Sequence, residues 1–228
     1  MTRVRQLPRT RVELAAMIDH TLLSPEATED DVRRHCAEAL ELGVFAVCVN
    51  PTMVEIAAGE LAGGIVAVAA VVGFPSGAHA PAVKAAEAEL AWSEGARELD
   101  MVMNLAHGLV GAWERVVAEI EAVRATAPEA TLKIIIETGI LDAGTIVKAC
   151  RAAEMGGADF VKTSTGFHPS GGATAEAVHL MAKTVEGRLG VKASGGIRTA
   201  EQALALVQAG ATRLGMSKTA DALAALNE

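Results

Sequence analysis

Eight short apolar segments alternate with amphipathic stretches along the 228 residues of the chain. The apolar segments predict strands at residues 16–19, 44–49, 65–72, 98–103, 132–137, 160–163, 191–193 and 213–215. The stretches between them predict helices, among them residues 28–42, 82–94, 111–126 and 145–155, and several of these run into a glycine before the next strand. This repeated order is typical of an α/β fold with a parallel sheet.

Eight such units predict a single (β/α)8 TIM barrel over residues 12–228, preceded by a short N-terminal extension, an arm or short helix, over residues 1–11. The alternative is a doubly wound open sheet. The number of strands favours the barrel, and no predicted strand is followed by the G-x-G-x-x-G turn of a dinucleotide-binding sheet.

Charge and composition argue against several classes of function. The formal net charge is −8 and no basic stripe occurs, so we expect no nucleic-acid partner. The longest apolar run, residues 65–73, is too short to cross a bilayer, so we expect no membrane association. Three cysteines without C-x-x-C spacing (Cys36, Cys48, Cys150) predict a reduced, cytoplasmic setting and no metal site.

Polar side chains follow the predicted strands at the points where the strands end. In a (β/α)8 barrel the carboxyl ends of the strands carry the reactive residues, so this distribution indicates an enzyme. The clusters are Asp19-His20-Thr21, Cys48-Val49-Asn50, residues 100–104, Glu137-Thr138, residues 162–165, residues 192–196 and residues 215–217.

Two lysines occupy strand positions that turn them toward the barrel axis. Because successive side chains of a strand point to opposite faces, an outward Val161 and an outward Val191 imply an inward Lys162 and an inward Lys192. A single lysine at a strand end commonly reaches solvent instead. Two on adjacent strands are harder to explain that way.

The same alternation turns further charged residues inward. Asp100, Lys133 and Glu137 all face the axis. We expect Lys133 and Glu137 to form an ion pair with each other. For Asp100, the other interpretation is a helix cap or an ion-pair partner. A buried charge cluster is a poor way to gain stability, because apolar replacements often serve better. We therefore interpret the cluster as catalytic.

A lysine in such a cluster has an obvious chemical use. Its unperturbed pKa is about 10.4, and burial and a neighbouring ammonium both lower it. The neutral amine then condenses with a carbonyl to form a Schiff base, an electron sink for making or breaking carbon–carbon bonds. We predict this role for Lys162 and proton transfer by Asp100.

Glycine-containing loops after the last three predicted strands indicate a phosphate site. Residues 195–199 (GGIRT) and 214–217 (LGMS) follow strands seven and eight, whose loops often bind phosphate in this fold. Thr165-Gly166 after strand six is in place to form a third side. Ordinary turn glycines are the alternative interpretation of each loop taken alone.

Eight motifs in chain order resemble the deoxyribose-phosphate aldolase family, from about residue 12 to the C-terminus. They are IDHTLL (18–23), VCVNP (47–51), VGFPSG (72–77), ELDMVMN (98–104), KIIIETGIL (133–141), FVKTSTGF (160–167), VKASGGIRT (191–199) and RLGMS (213–217). The resemblance implies a class I aldolase on a (β/α)8 barrel that needs no metal or other cofactor. It implies reversible cleavage of 2-deoxy-D-ribose 5-phosphate to D-glyceraldehyde 3-phosphate and acetaldehyde.

The resemblance also assigns roles to particular residues. It makes Lys162 the Schiff-base nucleophile, Lys192 the lysine that lowers its pKa, and Asp100 the proton donor and acceptor. The expected substrate-binding residues are Asp19, Thr21, Cys48 and Thr165, although a small buried side chain is the other interpretation of Cys48. The expected phosphate-binding residues are Gly166, Gly195, Gly196, Arg198, Gly215 and Ser217.

The chain departs from the family pattern at three points. Phe167 stands where some members have a lysine. Lys218 stands where a second small or hydroxyl residue is commoner, and it is a candidate replacement for the charge missing at Phe167. Some members end in a tyrosine that assists proton transfer, and this chain contains no tyrosine.

Three other functions stay open from the sequence. They are another Schiff-base aldolase or a transaldolase-like enzyme on phosphorylated sugars, a non-catalytic sugar-phosphate sensor, and a metal-dependent aldolase. The expected partners are small phosphorylated sugars and aldehydes, together with further copies of the chain in a dimer or tetramer.

Overall fold

The computed structural model describes residues 7–226, and eight parallel strands close into a barrel within them. Each strand pairs with the next in sequence, and the last pairs with the first. The strands are β1 (Ile18–Leu22), β2 (Ala46–Val49), β3 (Ala67–Val72), β4 (Glu98–Val102), β5 (Thr131–Ile135), β6 (Phe160–Lys162), β7 (Gly190–Ser194) and β8 (Arg213–Met216). This closure confirms the predicted (β/α)8 barrel and excludes the open doubly wound sheet, which has two unpaired edge strands.

Helices connect the strands and surround them. They are α1 (Arg11–Ala15), α2 (Glu29–Leu42), α3 (Val54–Glu60), α4 (Pro81–Ser93), α5 (Leu105–Leu109), α6 (Trp113–Thr126), α7 (Ala143–Met155), α8 (Ala175–Val185), α9 (Ala200–Ala209) and α10 (Thr219–Ala224). Two short 3-10 helices lie at Pro51–Met53 and Thr138–Ile140. No helix in the described range is both long and apolar enough to cross a bilayer.

The first strand is the one that the sequence misplaced. The prediction of residues 16–19 followed the apolar stretch there, but Ala15 ends α1 and Ala16 caps it. The strand instead runs through the polar His20 and Thr21, which pair with Val47 and Cys48 of β2. The other predicted strands differ from the structure by at most two residues at either end. The predicted extension over residues 1–11 lies partly outside the described residues.

Two kinds of side chain fill the two faces of the barrel wall. Residues that alternate along a strand toward the helices, such as Leu99, Met101 and Met103 of β4 and the residue after it, join the apolar layer between strands and helices. The residues between them face the axis, and there the strands carry charge instead. Asp100 is fully buried at that face. The alternation predicted from the sequence is therefore the one that the structure has.

A buried ion pair fastens two helices to the carboxyl end of β4. The Nζ of Lys84 on α4 donates to the carbonyl of Val102 and to Glu119 on α6, each at 2.8 Å. Glu119 also accepts the N–H of Asn104 at 2.6 Å. Both charged side chains are almost wholly inaccessible to solvent. These contacts satisfy backbone groups at the end of the strand that carries Asp100.

Candidate active site

The register of the sheet brings the two predicted lysines side by side. β6 ends at Lys162, which pairs in register with Lys192 of β7. On the two preceding strands, Asp100 of β4 pairs in register with Lys133 of β5. Residues in register on adjacent parallel strands point to the same face, so all four side chains meet inside the barrel.

These side chains belong to a connected charge network, which we define as Asp19, Glu98, Asp100, Lys133, Lys162, Lys192 and Arg213. Asp100 is at its centre. Its Oδ2 accepts from the Nζ of Lys162 at 2.7 Å and from the Nζ of Lys192 at 2.6 Å. Its Oδ1 accepts from Lys133 at 2.6 Å. One carboxylate oxygen therefore holds the two lysines of the predicted catalytic pair close to each other.

The rest of the network lies deeper in the barrel. Lys192 also contacts Asp19, and Arg213 bridges Asp19 at 2.7 Å and Glu98 at 2.9 Å. Lys133 contacts Glu98 at 2.7 Å as well as Asp100. Lys162 differs from the others in contacting Asp100 alone among the carboxylates of the network, as far as the described residues go.

This difference in partners separates the two lysines electrostatically. Burial lowers the pKa of Lys162. The carboxylate of Asp100 raises that pKa and the ammonium of Lys192 lowers it further, so that it ends below the ordinary value for lysine. Burial acts on Lys192 in the same direction, but Asp100 and Asp19 together raise its pKa above the ordinary value. Of the two lysines, Lys162 is therefore the one that loses its proton more readily.

The two aspartates of the network stay ionised. Burial alone would raise the pKa of Asp100, but Lys133, Lys162 and Lys192 bring it well below its usual range. Burial likewise opposes the ionisation of Asp19, and Lys192, Lys133 and Arg213 lower its pKa to about 2. Asp100 is therefore ionised in the resting site.

A cavity of about 430 Å³ opens onto Lys162 at the carboxyl ends of the strands. Lys162 is 3% exposed, whereas Lys192 and Asp100 are completely buried beneath it. The predicted residues that line the cavity are Thr21, Lys162, Thr165, Gly166, Gly195, Gly196, Gly215 and Ser217. The cavity gives a small molecule access to one amine of the network.

The loops around the cavity approach each other closely at glycines. Gly166, Gly195 and Gly196 have φ of 83°, 87° and 79°, a region that favours glycine. A Cβ on Gly172 would overlap the carbonyl group of Gly195, so the loops after β6 and β7 touch backbone to backbone. A Cβ on Gly215 would lie 3.2 Å from Cε of Lys192. Gly215 therefore leaves room for Lys192 as well as lining the cavity.

Besides Lys192 and Asp100, three predicted residues lie outside the cavity lining. Asp19 is buried below it, where it binds Lys192 and Arg213. Cys48 is fully buried in a small apolar cluster with Leu23, Ala69 and Val71, and burial raises the pKa of its thiol. Arg198 is exposed just before α9, and its backbone N–H donates to Gln202.

The expected ion pair between Lys133 and Glu137 is wrong. Lys133 pairs with Glu98 and Asp100, while the carboxylate of Glu137 accepts hydrogen bonds from Thr165. Residues four apart on an extended strand are separated by about 13 Å, which is too far for direct contact. The strand spacing alone excludes that pair.

Sequence reasoning missed two members of the charge network, Glu98 and Arg213. The signal was present for both, since Glu98 is two residues before the inward Asp100 and Arg213 is two before Gly215, so each shares its neighbour's face. The cavity lining also includes residues that were not predicted for it: Leu22, Leu23, Ser24, Pro25, Phe167, Ser194, Ile197 and Met216.

A histidine cluster lies on the outer side of β1. His20 stacks on His35 of α2 with ring centroids 3.8 Å apart and planes inclined by 15°, and burial lowers the pKa of both rings to about 4. Ligand atoms of these rings and of Glu38 lie within 4.8 Å of one another. The rings are nearly parallel, however, so their in-plane lone pairs do not converge on one ion. We assign no metal to this cluster.

Comparison with known proteins agrees with this geometry. The model of the DeoC/LacD family of aldolases matches residues 14–220. The chain belongs to the DeoC/LacD aldolase family. The deoxyribose-phosphate aldolase of Kocuria rhizophila is 58% identical over 219 residues, covering 96% of this chain and 99% of that protein.

Other relatives within the aldolase family show the same likeness. The deoxyribose-phosphate aldolase of Mycobacterium tuberculosis is 59% identical over 214 residues, which cover 92% of this chain and 94% of that protein. The structure of the deoxyribose phosphate aldolase from Aeropyrum pernix is 35% identical and superimposes with a TM-score of 0.88. That match covers 94% of this chain and 91% of that chain.

The contact between the loops after β6 and β7 can be tested with Gly172→Ala. We expect this change to lower the free energy of unfolding by about 1–3 kcal/mol, because the new methyl group meets backbone and not a movable side chain. Urea denaturation measures the change. Gly59→Ala, in α3 with open space around it, is the matched control and should stabilise the protein by up to about 1 kcal/mol. Wild-type stability of Gly172→Ala would contradict the close contact.

Proposed function

We propose that this chain is a class I aldolase that reversibly cleaves 2-deoxy-D-ribose 5-phosphate to D-glyceraldehyde 3-phosphate and acetaldehyde. The observation that carries the proposal is the position of Lys162. Its amine is buried, opens onto a cavity, and shares one oxygen of Asp100 with Lys192. Membership of the DeoC/LacD aldolase family and the names of the close relatives support the same reaction.

The first step needs a neutral amine, and the environment of Lys162 lowers its pKa toward that form. The amine adds to the C1 aldehyde of the open-chain sugar. The carbinolamine hydroxyl then takes up a proton and leaves as water, which gives a protonated imine. Lys192 stays charged because its pKa is raised, so it remains a cation beside the nucleophile. A sugar-phosphate sensor would not need this arrangement, since binding alone does not require an amine of lowered pKa.

Carbon–carbon cleavage follows from the protonated imine. A base removes the proton of the C3 hydroxyl, the C2–C3 bond breaks, and its electron pair moves into the imine to form an enamine. D-glyceraldehyde 3-phosphate leaves, a proton is added at C2, and water then hydrolyses the imine to release acetaldehyde. We assign these proton transfers to Asp100, whose carboxylate contacts the Nζ of both lysines.

The remaining assignments concern binding. We place the phosphate against the glycine loops of Gly166, Gly195 and Gly196, where backbone N–H groups of left-handed residues suit an anion. Gly215 and Ser217 line the same cavity. Thr21 lies in β1, the strand that pairs with β8, and lines the same cavity, where we place it against the substrate. We place Asp19 behind Lys192, so that it orients that lysine and has no direct contact with substrate.

The setting of the enzyme is part of the proposal. The three cysteines are unpaired and buried, which supports a reducing, cytoplasmic location. The relative from Aeropyrum pernix is described as tetrameric, and we infer that this chain also forms a homo-oligomer. The roles expected for Arg198 and Cys48 stay predictions.

Reductive trapping tests the nucleophile. Incubation with acetaldehyde and borohydride should leave an N-ethyl group on Lys162, because borohydride reduces the imine before water can hydrolyse it. Peptide mapping by mass spectrometry locates the adduct, and Lys133, buried in the same network, is the internal control. An adduct on another lysine would reassign the nucleophile.

Cleavage that persists in a chelator would separate this enzyme from a metal-dependent aldolase.

Substitution of Lys192 tests the electrostatic part of the mechanism. Lys192→Leu removes the neighbouring ammonium, so the pKa of Lys162 should rise and the neutral amine should appear only at higher pH. We expect kcat to fall by about a hundredfold or more and the acidic limb of the kcat profile to move upward. Lys183→Leu, at an exposed position, is the control. An unchanged pH profile in Lys192→Leu would refute the proposed effect of this lysine.

A further inference from the structure

Glu137 occupies an unusual position just beyond β5. Its side chain is completely buried, and its backbone is left-handed with φ of 53°. The other non-glycine residue with positive φ in the described range is Glu186, which lies exposed at the end of α8. A non-glycine residue in this conformation costs about 1 kcal/mol or more and persists where its surroundings enforce it.

The neighbouring strand enforces the conformation from both sides. The N–H of Ile136 donates to the carbonyl of Lys162 at 3.0 Å, and that of Thr138 donates to the carbonyl of Thr163 at 2.8 Å. Between these two bonds the chain turns into a 3-10 helix, and the side chain of Glu137 is directed into the barrel. The left-handed backbone of Glu137 therefore directs its side-chain carboxyl group into the barrel.

That carboxylate has a single partner residue within the described part of the chain. Thr165 donates its O–H to Oε2 of Glu137 at 2.6 Å and its backbone N–H to the same oxygen at 3.2 Å. No basic side chain among residues 7–226 lies within ion-pair distance of Glu137. Burying a carboxyl group with no ion-pair partner costs free energy, which its hydrogen bonds to Thr165 must offset. We therefore ask what the contact with Thr165 does.

The bond fixes the direction of the Thr165 hydroxyl. A carboxylate can only accept, so the hydroxyl proton points to Glu137 and a lone pair of Oγ1 is free to accept the N–H of Phe167 at 3.1 Å. These two bonds close the turn from Thr165 to Phe167. Gly166, in the middle of the turn, lines the cavity, and its N–H has no acceptor within the described residues.

We propose that Glu137 is a positioning residue for the phosphate side of the cavity. It does not touch the substrate. It holds Thr165, and through Thr165 it holds the turn that presents the N–H of Gly166, four residues after Lys162, to an anion. This inference rests on the proposed function, because it takes the anion to be the phosphate of the sugar substrate.

A double-mutant cycle with two substrates tests the proposal. Glu137→Gln replaces the carboxylate that accepts both bonds from Thr165 with a neutral amide, so both bonds weaken, because hydrogen bonds to a charged acceptor are about twice as strong as those between neutral groups. We expect KM for 2-deoxyribose 5-phosphate to rise about tenfold with kcat changed less than about threefold. For unphosphorylated 2-deoxyribose, kcat/KM should stay within about twofold. Glu186→Gln, at the other left-handed glutamate, should change neither substrate's constants.

The cycle identifies the residue through which Glu137 acts. If its effect passes through Thr165, Glu137→Gln should raise KM less in Thr165→Val than in the wild-type protein, because the bond from the Thr165 hydroxyl is already absent there. Additive effects, an unchanged KM in Glu137→Gln, or equal losses on both substrates would each overturn the proposal. If Glu137→Gln fails to fold, Glu137→Asn replaces it, because asparagine tolerates the left-handed backbone and its shorter side chain does not reach Thr165.

Reductive trapping on Lys162 in every variant separates this inference from the proposed function. Trapping and cleavage in the wild-type protein, with a normal KM in Glu137→Gln, would overturn the positioning role alone. A wild-type protein that neither cleaves the sugar phosphate nor traps acetaldehyde would overturn the proposed function itself.

Discussion

The structure depends on an imbalance of charge inside the barrel. The connected network contains four basic side chains, Lys133, Lys162, Lys192 and Arg213, but three carboxylates, Asp19, Glu98 and Asp100. Water does not screen buried charges, so each ammonium or guanidinium depends on nearby carboxylates to stay charged. The basic group that contacts the fewest carboxylates therefore loses its proton most readily. That group is Lys162, which contacts Asp100 alone, whereas each of the other three contacts at least two.

The other features of the site arrange access to that one amine. The short β6 ends at Lys162, so its side chain reaches the cavity while its partners remain below. Gly215 leaves space for Lys192 beside it, and the contact of Gly172 with Gly195 holds the loops of the cavity together. In the proposed mechanism the charge imbalance creates the reactive group, and the loops determine which molecules can reach it. Stability and catalysis thus make opposite demands on the same few residues.

The sequence was sufficient for the fold and for the centre of the site, and insufficient for the pairing of charges. Strand alternation depends only on local geometry, so it can be read from the sequence, and it places Lys162, Lys192 and Asp100 on the inner face. The partners of Lys133 depend on the stagger of strands around the closed barrel, which alternation does not contain. The contact between His20 and His35 was missed for a related reason, since it joins a strand to the outer helix. β1 was misplaced because its polar residues interrupt the apolar pattern used to find strands.

The most direct test of the central claim is the pKa of Lys162 itself. Protein labelled with ¹³C at the ε carbon of lysine can be titrated by NMR, and the spectrum of Lys162→Met identifies the signal. The imbalance of buried charge predicts a midpoint for Lys162 below the unperturbed value of about 10.4, with the Lys192 signal titrating above it. A Lys162 midpoint at or above that value would contradict the account, because the resting enzyme would then hold no more free amine than an ordinary lysine.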